Sequence, residues 1–152
     1  MNTIWDRLKY FKPYEKWGDP SKMSGTILMV IDAIRDIVGV PFLVTCGYEI
    51  NKDRQIKKSR HMISDAVDFI ITTLPAQEAY QKLLFAIKLL QIDDTIGLGI
   101  YPYWKPQAGY HLDVRGERAR WGGLTIRDGK GNIIRNDYVA YDVAEAILLG
   151  SG

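Results

Sequence analysis

An α+β fold, with helices flanking a mostly antiparallel sheet, is what two features of this 152-residue sequence predict. One early stretch repeats its apolar residues at helical steps, whereas the second half breaks into short β-branched and aromatic runs separated by turn residues. A third observation concerns size. No segment repeats or is of low complexity, and a 47% hydrophobic chain of this length can bury one sizeable core, so residues 1–152 read as a single domain.

The elements follow in order. Residues 1–20 are aromatic and basic, with Trp5, Tyr10, Phe11, Tyr14 and Trp17 spread between the breaks at Pro13 and Pro20, and read as an arm packed on the domain. From Ser24 as N-cap, Ile27, Val30, Ile31, Ile34, Ile37 and Val38 recur at three- and four-residue steps and predict a helix closed by Gly39. Residues 41–46 suit a buried strand ended by Gly47. Residues 48–60 are polar and without period, a loop leading into a site. A second strand is expected over residues 65–71, then a helix opened by Pro75 that carries Ala79, Leu83, Ala86, Ile87 and Leu90 on its apolar side. Strands are expected over residues 95–100, 109–114 and 124–127. The turn Asp128-Gly129-Lys130-Gly131-Asn132 folds the last of these onto Ile133 and Ile134 as a hairpin, and a short helix over residues 139–149 ends the chain.

Composition excludes several classes. Twenty Lys+Arg against 18 Asp+Glu give a net charge of +2, too mild for a dedicated nucleic-acid binder, and only Lys57, Lys58 and Arg60 cluster. One cysteine, Cys46, rules out an internal disulfide framework and a cysteine-based zinc finger. No apolar run approaches the roughly 20 residues of a membrane span. The start lacks a basic region followed by an apolar stretch, so synthesis in the cytoplasm without a signal peptide is expected.

The chain has only two histidines, and each sits in a polar signature beside aspartates. His61 lies in Ser59-Arg60-His61-Met62-Ile63-Ser64-Asp65-Ala66-Val67-Asp68. Asp68 falls inside an otherwise apolar strand, where an ionised carboxylate needs a partner, and its parity with Ala66 and Ile70 points it inward. His111 lies in Gly109-Tyr110-His111-Leu112-Asp113-Val114-Arg115, where strand alternation sends His111, Asp113 and Arg115 to one face. Two imidazoles and one carboxylate make a three-ligand set suited to zinc, with a fourth tetrahedral position open to water. Metal-bound water ionises near neutral pH and the metal polarises a carbonyl, which are the requirements of amide hydrolysis. Either histidine alone fits equally a hydrogen-bonded structural residue, and Asp68 alone fits a loop cap or an arginine partner.

The string Ser59-x-His61-x-x-Ser64-x-Ala66-x-Asp68, followed downstream by His111-x-Asp113, resembles the D-alanyl-D-alanine carboxypeptidase family of zinc peptidases. That family includes peptidoglycan carboxypeptidases, murein endopeptidases, D-Ala-D-Ala dipeptidases and phage endolysins, and shares its fold with the hedgehog signalling domain. Trp17-Gly18-Asp19, Met23, Asp32-Ala33-Ile34-Arg35, Gly39-Val40-Pro41 and Thr45-Cys46-Gly47-Tyr48 look like its lead-in helix and strand. Gly97-Leu98-Gly99-Ile100-Tyr101-Pro102, His111-Leu112-Asp113-Val114-Arg115 and Arg120-Trp121 are similar to its compact phage- or prophage-type branch. The likeness covers roughly residues 11–122. It implies a hedgehog/DD-peptidase-like fold, one zinc ion held by His61, Asp68 and His111, and a bacterial cell-wall peptide as substrate. Ser59 would position the loop around the first ligand.

Three positions depart from the family pattern. Ser64 replaces its usual glycine, Cys46 its usual serine, and Glu49 the arginine that commonly follows Gly-Tyr, which inverts a charge. Arg54 or Arg60 would then take over substrate binding from the same loop. Some branches carry an acidic residue shortly before the last histidine, and residues 104–110 contain none, which leaves Asp113 as the catalytic candidate. Asp113 serves either as general base or as orienter of a ligand, with Glu49 and Glu117 as further candidate bases. Tyr103, in the run Tyr101-Pro102-Tyr103-Trp104, would wall a substrate groove or pack as a plain loop. Arg115, Arg118 and Arg120 would hold a substrate carboxylate or pair with aspartates, and Cys46 reads as packing.

The resulting expectation is a zinc metallopeptidase, a hydrolase that degrades the cell wall by cutting a peptide bond in peptidoglycan stem peptides or cross-links as a carboxypeptidase or endopeptidase. It would reach the wall by endolysin-type release or as part of a phage particle, with no nucleic-acid partner. The alternative is a catalytically weak or inactive zinc-retaining binding module, such as a phage particle component.

Overall fold

The computed structural model describes residues 3–48 and 60–150, with the side chains of His61 and Met62 outside that description. The architecture is α+β, three helices on a six-stranded mixed sheet. Helix α1 spans Gly25–Val38 and buries Ile27, Leu28, Ile31, Ile34 and Val38, with Val30 and Ile37 half-buried beside them. Gly39 ends it at φ 85°, and its N–H donates to the Arg35 carbonyl at 3.0 Å, a left-handed cap that favours glycine. Ser24 sits at the N-cap without a side-chain cap bond. Its backbone N–H instead donates to the Ser64 carbonyl at 2.9 Å, tying the helix start to the turn before the second strand.

The remaining elements are β1 (Phe42–Cys46), β2 (Ala66–Ile71), α2 (Ala76–Leu89), β3 (Gly97–Tyr101), β4 (Gly109–Asp113), β5 (Ala119–Arg127), β6 (Ile133–Val139) and α3 (Tyr141–Gly150). The sheet order is β1-β2-β4-β3-β5-β6. Every pair is antiparallel except β3 with β5. That parallel pair makes the sheet mixed, a crossover that local sequence pattern does not encode, because β4 is inserted on the far side of β3 before the chain returns.

Alternation gives the central strands two buried faces. Val67, Phe69 and Ile71 of β2, Leu98 and Ile100 of β3, and Tyr110 and Leu112 of β4 join the helices in one core. Ala66 and Ile70 are also buried, on the opposite face, and Asp68 shares that face with them. Asp68 therefore points inward on a second, smaller buried surface away from the helices. In the arm, Phe11 and Trp17 are buried, Trp17 meets Trp5 and Phe11 edge-on, and its indole N–H donates to the Lys12 carbonyl at 2.8 Å. Tyr14 stays exposed.

Strand β3 starts at Gly97 rather than residue 95, the second hairpin strand runs on to Val139, and two further boundaries shift. Strand β5 begins at Ala119, well before residue 124, since Arg120, Trp121, Gly122 and Gly123 carry no apolar alternation yet pair with β3 or β6. Val139 closes β6 opposite Gly122 and α3 starts at Tyr141, so the final helix begins later than residue 139. The turn between β5 and β6 is as expected: the Asp128 carboxylate accepts from the N–H groups of Lys130 and Asn132, each at 2.9 Å, and Gly131 takes φ 85°. Among the described residues no helix is long and apolar enough to cross a membrane.

A short 3-10 segment, Arg60–Ile63, carries the His61 backbone directly into β2. The turn after it requires Ser64 at φ 68°, a left-handed conformation that costs a residue with a Cβ about 1–2 kcal/mol. Ser64→Gly should therefore stabilise the protein by about 0.5–1 kcal/mol, net of the extra entropy that glycine loses on folding. Urea unfolding measures this, and a lower midpoint in the variant would show that the serine side chain contributes more than its backbone costs.

Candidate functional site

Strand register assembles the site before any side chain is considered. Cys46 of β1 pairs with Asp68 of β2, Asp68 with His111 of β4, His111 with Gly99 of β3, and Gly99 with Trp121 of β5, one row across five strands. The next row on that face runs Ala66, Asp113, Gly97 and Ala119. His111 and Asp113 are thus neighbours on one strand face, and Asp68 is the direct cross-strand neighbour of His111.

Both ring nitrogens of His111 are engaged. Nδ1 lies 2.9 Å from Asp68 Oδ1, and Nε2 lies 2.8 Å from Asp113 Oδ2. Asp113 is fully buried and is further held by Arg115, whose Nε donates to Oδ1 and Nη2 to Oδ2, each at 2.7 Å. Such a fork geometry is among the stronger charge-assisted pairings. Burial by itself would raise the Asp113 pKa, but the Arg115 and His111 hydrogen bonds outweigh it and hold the carboxyl well below the usual range. Burial would likewise lower the pKa of His111, yet the Asp113 and Asp68 carboxylates push it up to about 9.

That shift has a sign. The folded pKa of His111 lies above its ordinary 6.5, so in chelator-treated protein its proton contributes stability fully below about pH 6.5, and this contribution is lost as pH rises through about 9. The urea midpoint of such protein should fall across that window, and a flat midpoint would remove His111 as the responsible group.

The glycines of β3 make room for this cluster. A Cβ on Gly97 would lie 2.6 Å from Asp113 Oδ1 and 2.7 Å from Arg115 Nε, and one on Gly99 would lie 2.5 Å from Trp121 Nε1. The bare stretch of strand thus seats the Asp113–Arg115 pair and the Trp121 indole. Trp121 stands 5.0 Å from the His111 ring, Arg115 lies 5.1 Å from the Trp121 ring, and Trp121 Nε1 donates to the Tyr101 hydroxyl at 2.8 Å. Tyr101 in turn stacks on Trp104 at 4.3 Å, and Trp104 covers Gly109. An aromatic wall therefore flanks the His111 row along β3, β4 and β5.

Arg54, Ser59 and Glu49 fall outside the described residues, as does the His61 side chain. Arg60 pairs with Asp65 at 3.2 Å. Arg115 is committed to Asp113. Arg118 and Arg120 both hold Asp93 at 2.7 Å, pairing with an aspartate rather than standing over the site. Tyr103 is 44% exposed and lines a cavity of about 330 Å³ with Trp104, Gln107, Thr125 and Arg127.

Sequence reasoning missed Asp65, Gly97, Gly99 and Trp121 as contributors. For the glycines the available signal was Gly-x-Gly at strand period, which strips one face of side chains. Asp65 carried none. Its Oδ1 is buried without a hydrogen-bond partner among the described residues, and burial pushes its pKa up even though the Arg60 charge opposes this. It also feels the charges of Asp113, Arg115 and His111.

Among the described residues no group of three His, Cys, Asp or Glu side chains has the arrangement of a metal cage. Asp68 and His111 nevertheless fit two positions of one. With Asp113 accepting from Nε2–H, a metal taking the place of the Nδ1 proton beside the Asp68 carboxylate would find the carboxylate–histidine arrangement that supports metal ligands. Comparison with known proteins adds no identification: no family model, curated protein or solved structure matches the chain.

Proposed function

We propose that this chain is a zinc-dependent peptidase of hedgehog/DD-peptidase-like fold, acting on a peptide bond of bacterial peptidoglycan stem peptides or cross-links after release to the wall or delivery in a phage particle. The observation that carries the reading is the orientation of His111, with one nitrogen held by a buried, arginine-clamped carboxylate and the other facing Asp68. His61, on the segment that leads into β2, completes the ligand set. Zinc held there supplies a Lewis acid and a water that ionises near neutral pH. Asp113 keeps the proton on Nε2 and fixes the ring. With its basicity lowered by the Arg115 and His111 hydrogen bonds, it is a positioning residue. The aromatic wall offers apolar surface beside the reacting bond.

The commitment of Asp113 to Arg115 also favours a second reading, a zinc-retaining binding module of low activity. One experiment separates the two: zinc content of the purified protein, together with release of muropeptides from purified peptidoglycan with and without a chelator. One zinc per chain with chelator-sensitive release supports the peptidase. Zinc without cleavage supports the binding module, and absence of bound metal after zinc loading overturns both.

A further inference from the structure

Strand β6 forms one end of the sheet, and among the described residues no strand pairs with its outer edge. Ile133 and Ile134, beside the register irregularity opposite Ile126 and Arg127, are each 59% exposed, and Tyr138 is 72% exposed. An open edge of this kind accepts another strand unless something blocks it. Here the charges, which at most edges act as a block, are arranged symmetrically.

The strand reads Ile133-Ile134-Arg135-Asn136-Asp137-Tyr138-Val139, and it is complementary to itself about Asn136. Laid antiparallel against a second copy centred there, Arg135 of each chain faces Asp137 of the other. Sliding the pairing by two residues in either direction brings Arg135 against Arg135 or Asp137 against Asp137. Opposite charges directly across a ladder stabilise it and like charges oppose it, so the pattern selects one register. Within one chain Arg135 Nε already sits 3.1 Å from both Asp137 oxygens, so association would extend an exposed ion pair into a reciprocal set of four charges.

We propose that β6 is a self-association edge through which two copies of this chain join their six-stranded sheets into one continuous sheet, paired antiparallel about Asn136. The two-fold axis of such a pair is normal to the sheet, so both His111 faces lie on the same side. A dimer would present two sites to one extended polymer, a geometry that raises apparent affinity for a repeating substrate.

Strand-edge contact alone is a small interface, so the dimer belongs in the micromolar range. Sedimentation equilibrium of the full chain at ~100 μM and low salt is the test. The expected mass is twice the 17.3 kDa of one chain. Asp137→Arg should return the monomer mass by placing arginines opposite one another, and Arg135→Asp should do the same with carboxylates. The double exchange R135D/D137R should restore the dimer, since the charges only trade places. The Arg135 side chain is largely and that of Asp137 partly exposed, and circular dichroism reports whether each variant remains folded. A wild-type mass of one chain at that concentration overturns the proposal without recourse to any variant. So does a folded D137R protein that remains dimeric, or a folded double exchange that remains monomeric.

Discussion

Asp113→Ala is expected to cost about 3 kcal/mol of stability, the largest effect of any single substitution at the site. The carboxylate is fully buried, accepts two hydrogen bonds from Arg115 and lies 2.8 Å from His111 Nε2, so its removal takes the Arg115 guanidinium's carboxylate away and leaves the buried imidazole held from the Asp68 side alone. Losing one member of a buried ionic set costs more than the set contributes, because the charge left behind is poorly compensated. Equilibrium urea unfolding measures the loss, and for a chain of this size it corresponds to a melting temperature lower by about 6–12 °C. If zinc is held as proposed, its affinity should fall by about 10–100-fold in the same variant, since the His111 ring loses the partner that orients it. A stability change below about 1 kcal/mol would mean that Arg115 and His111 find other partners, and that Asp113 does not organise the site.

His111→Ala carries the second large effect. If zinc is held as proposed, the variant loses one of three ligands and the chemistry that depends on them. Muropeptide release should drop by at least about 1000-fold, equivalent to roughly 4 kcal/mol of transition-state stabilisation. Wild-type protein treated with a chelator should show the same residual rate as the variant, because both lack the same catalyst. The chelated wild type should recover on adding zinc and the variant should not. Retention of more than about a tenth of wild-type release by folded His111→Ala protein would sink the metal mechanism outright.

The parts of the fold that were legible in the sequence are those fixed by local period. Ile27 to Val38 could only make an amphipathic helix, Gly39 could only end it, and the Asp128 to Asn132 turn announced its own hairpin. The alternation of His111 with Asp113 gave their common face for the same reason. What was illegible depended on which strands become neighbours. The parallel pairing of β3 with β5 brings Trp121 over Gly99, and nothing local to either residue encodes that meeting. Sequence leaves Arg115 between a substrate carboxylate and an aspartate partner, because it does not reveal that Gly97 leaves room for the side chain to fold back onto Asp113. The parity of Asp68 points it inward, but a single strand does not say that this direction is a second buried face rather than the helix-packed core.

The position of β4 has a kinetic consequence. It is flanked on one side by β2 and on the other by β3, so the backbone amides of His111 and Asp113 lie in the interior of the sheet. Amides so placed exchange with solvent deuterium only through openings that approach complete unfolding, whereas those of an outer strand such as β6 exchange through fraying. The floor of the site should therefore be among the most slowly labelled parts of the molecule. Any adjustment needed to admit a ligand then falls to side-chain rotation and to the peripheral segments, while the peptide scaffold beneath His111 stays fixed on the timescale of turnover.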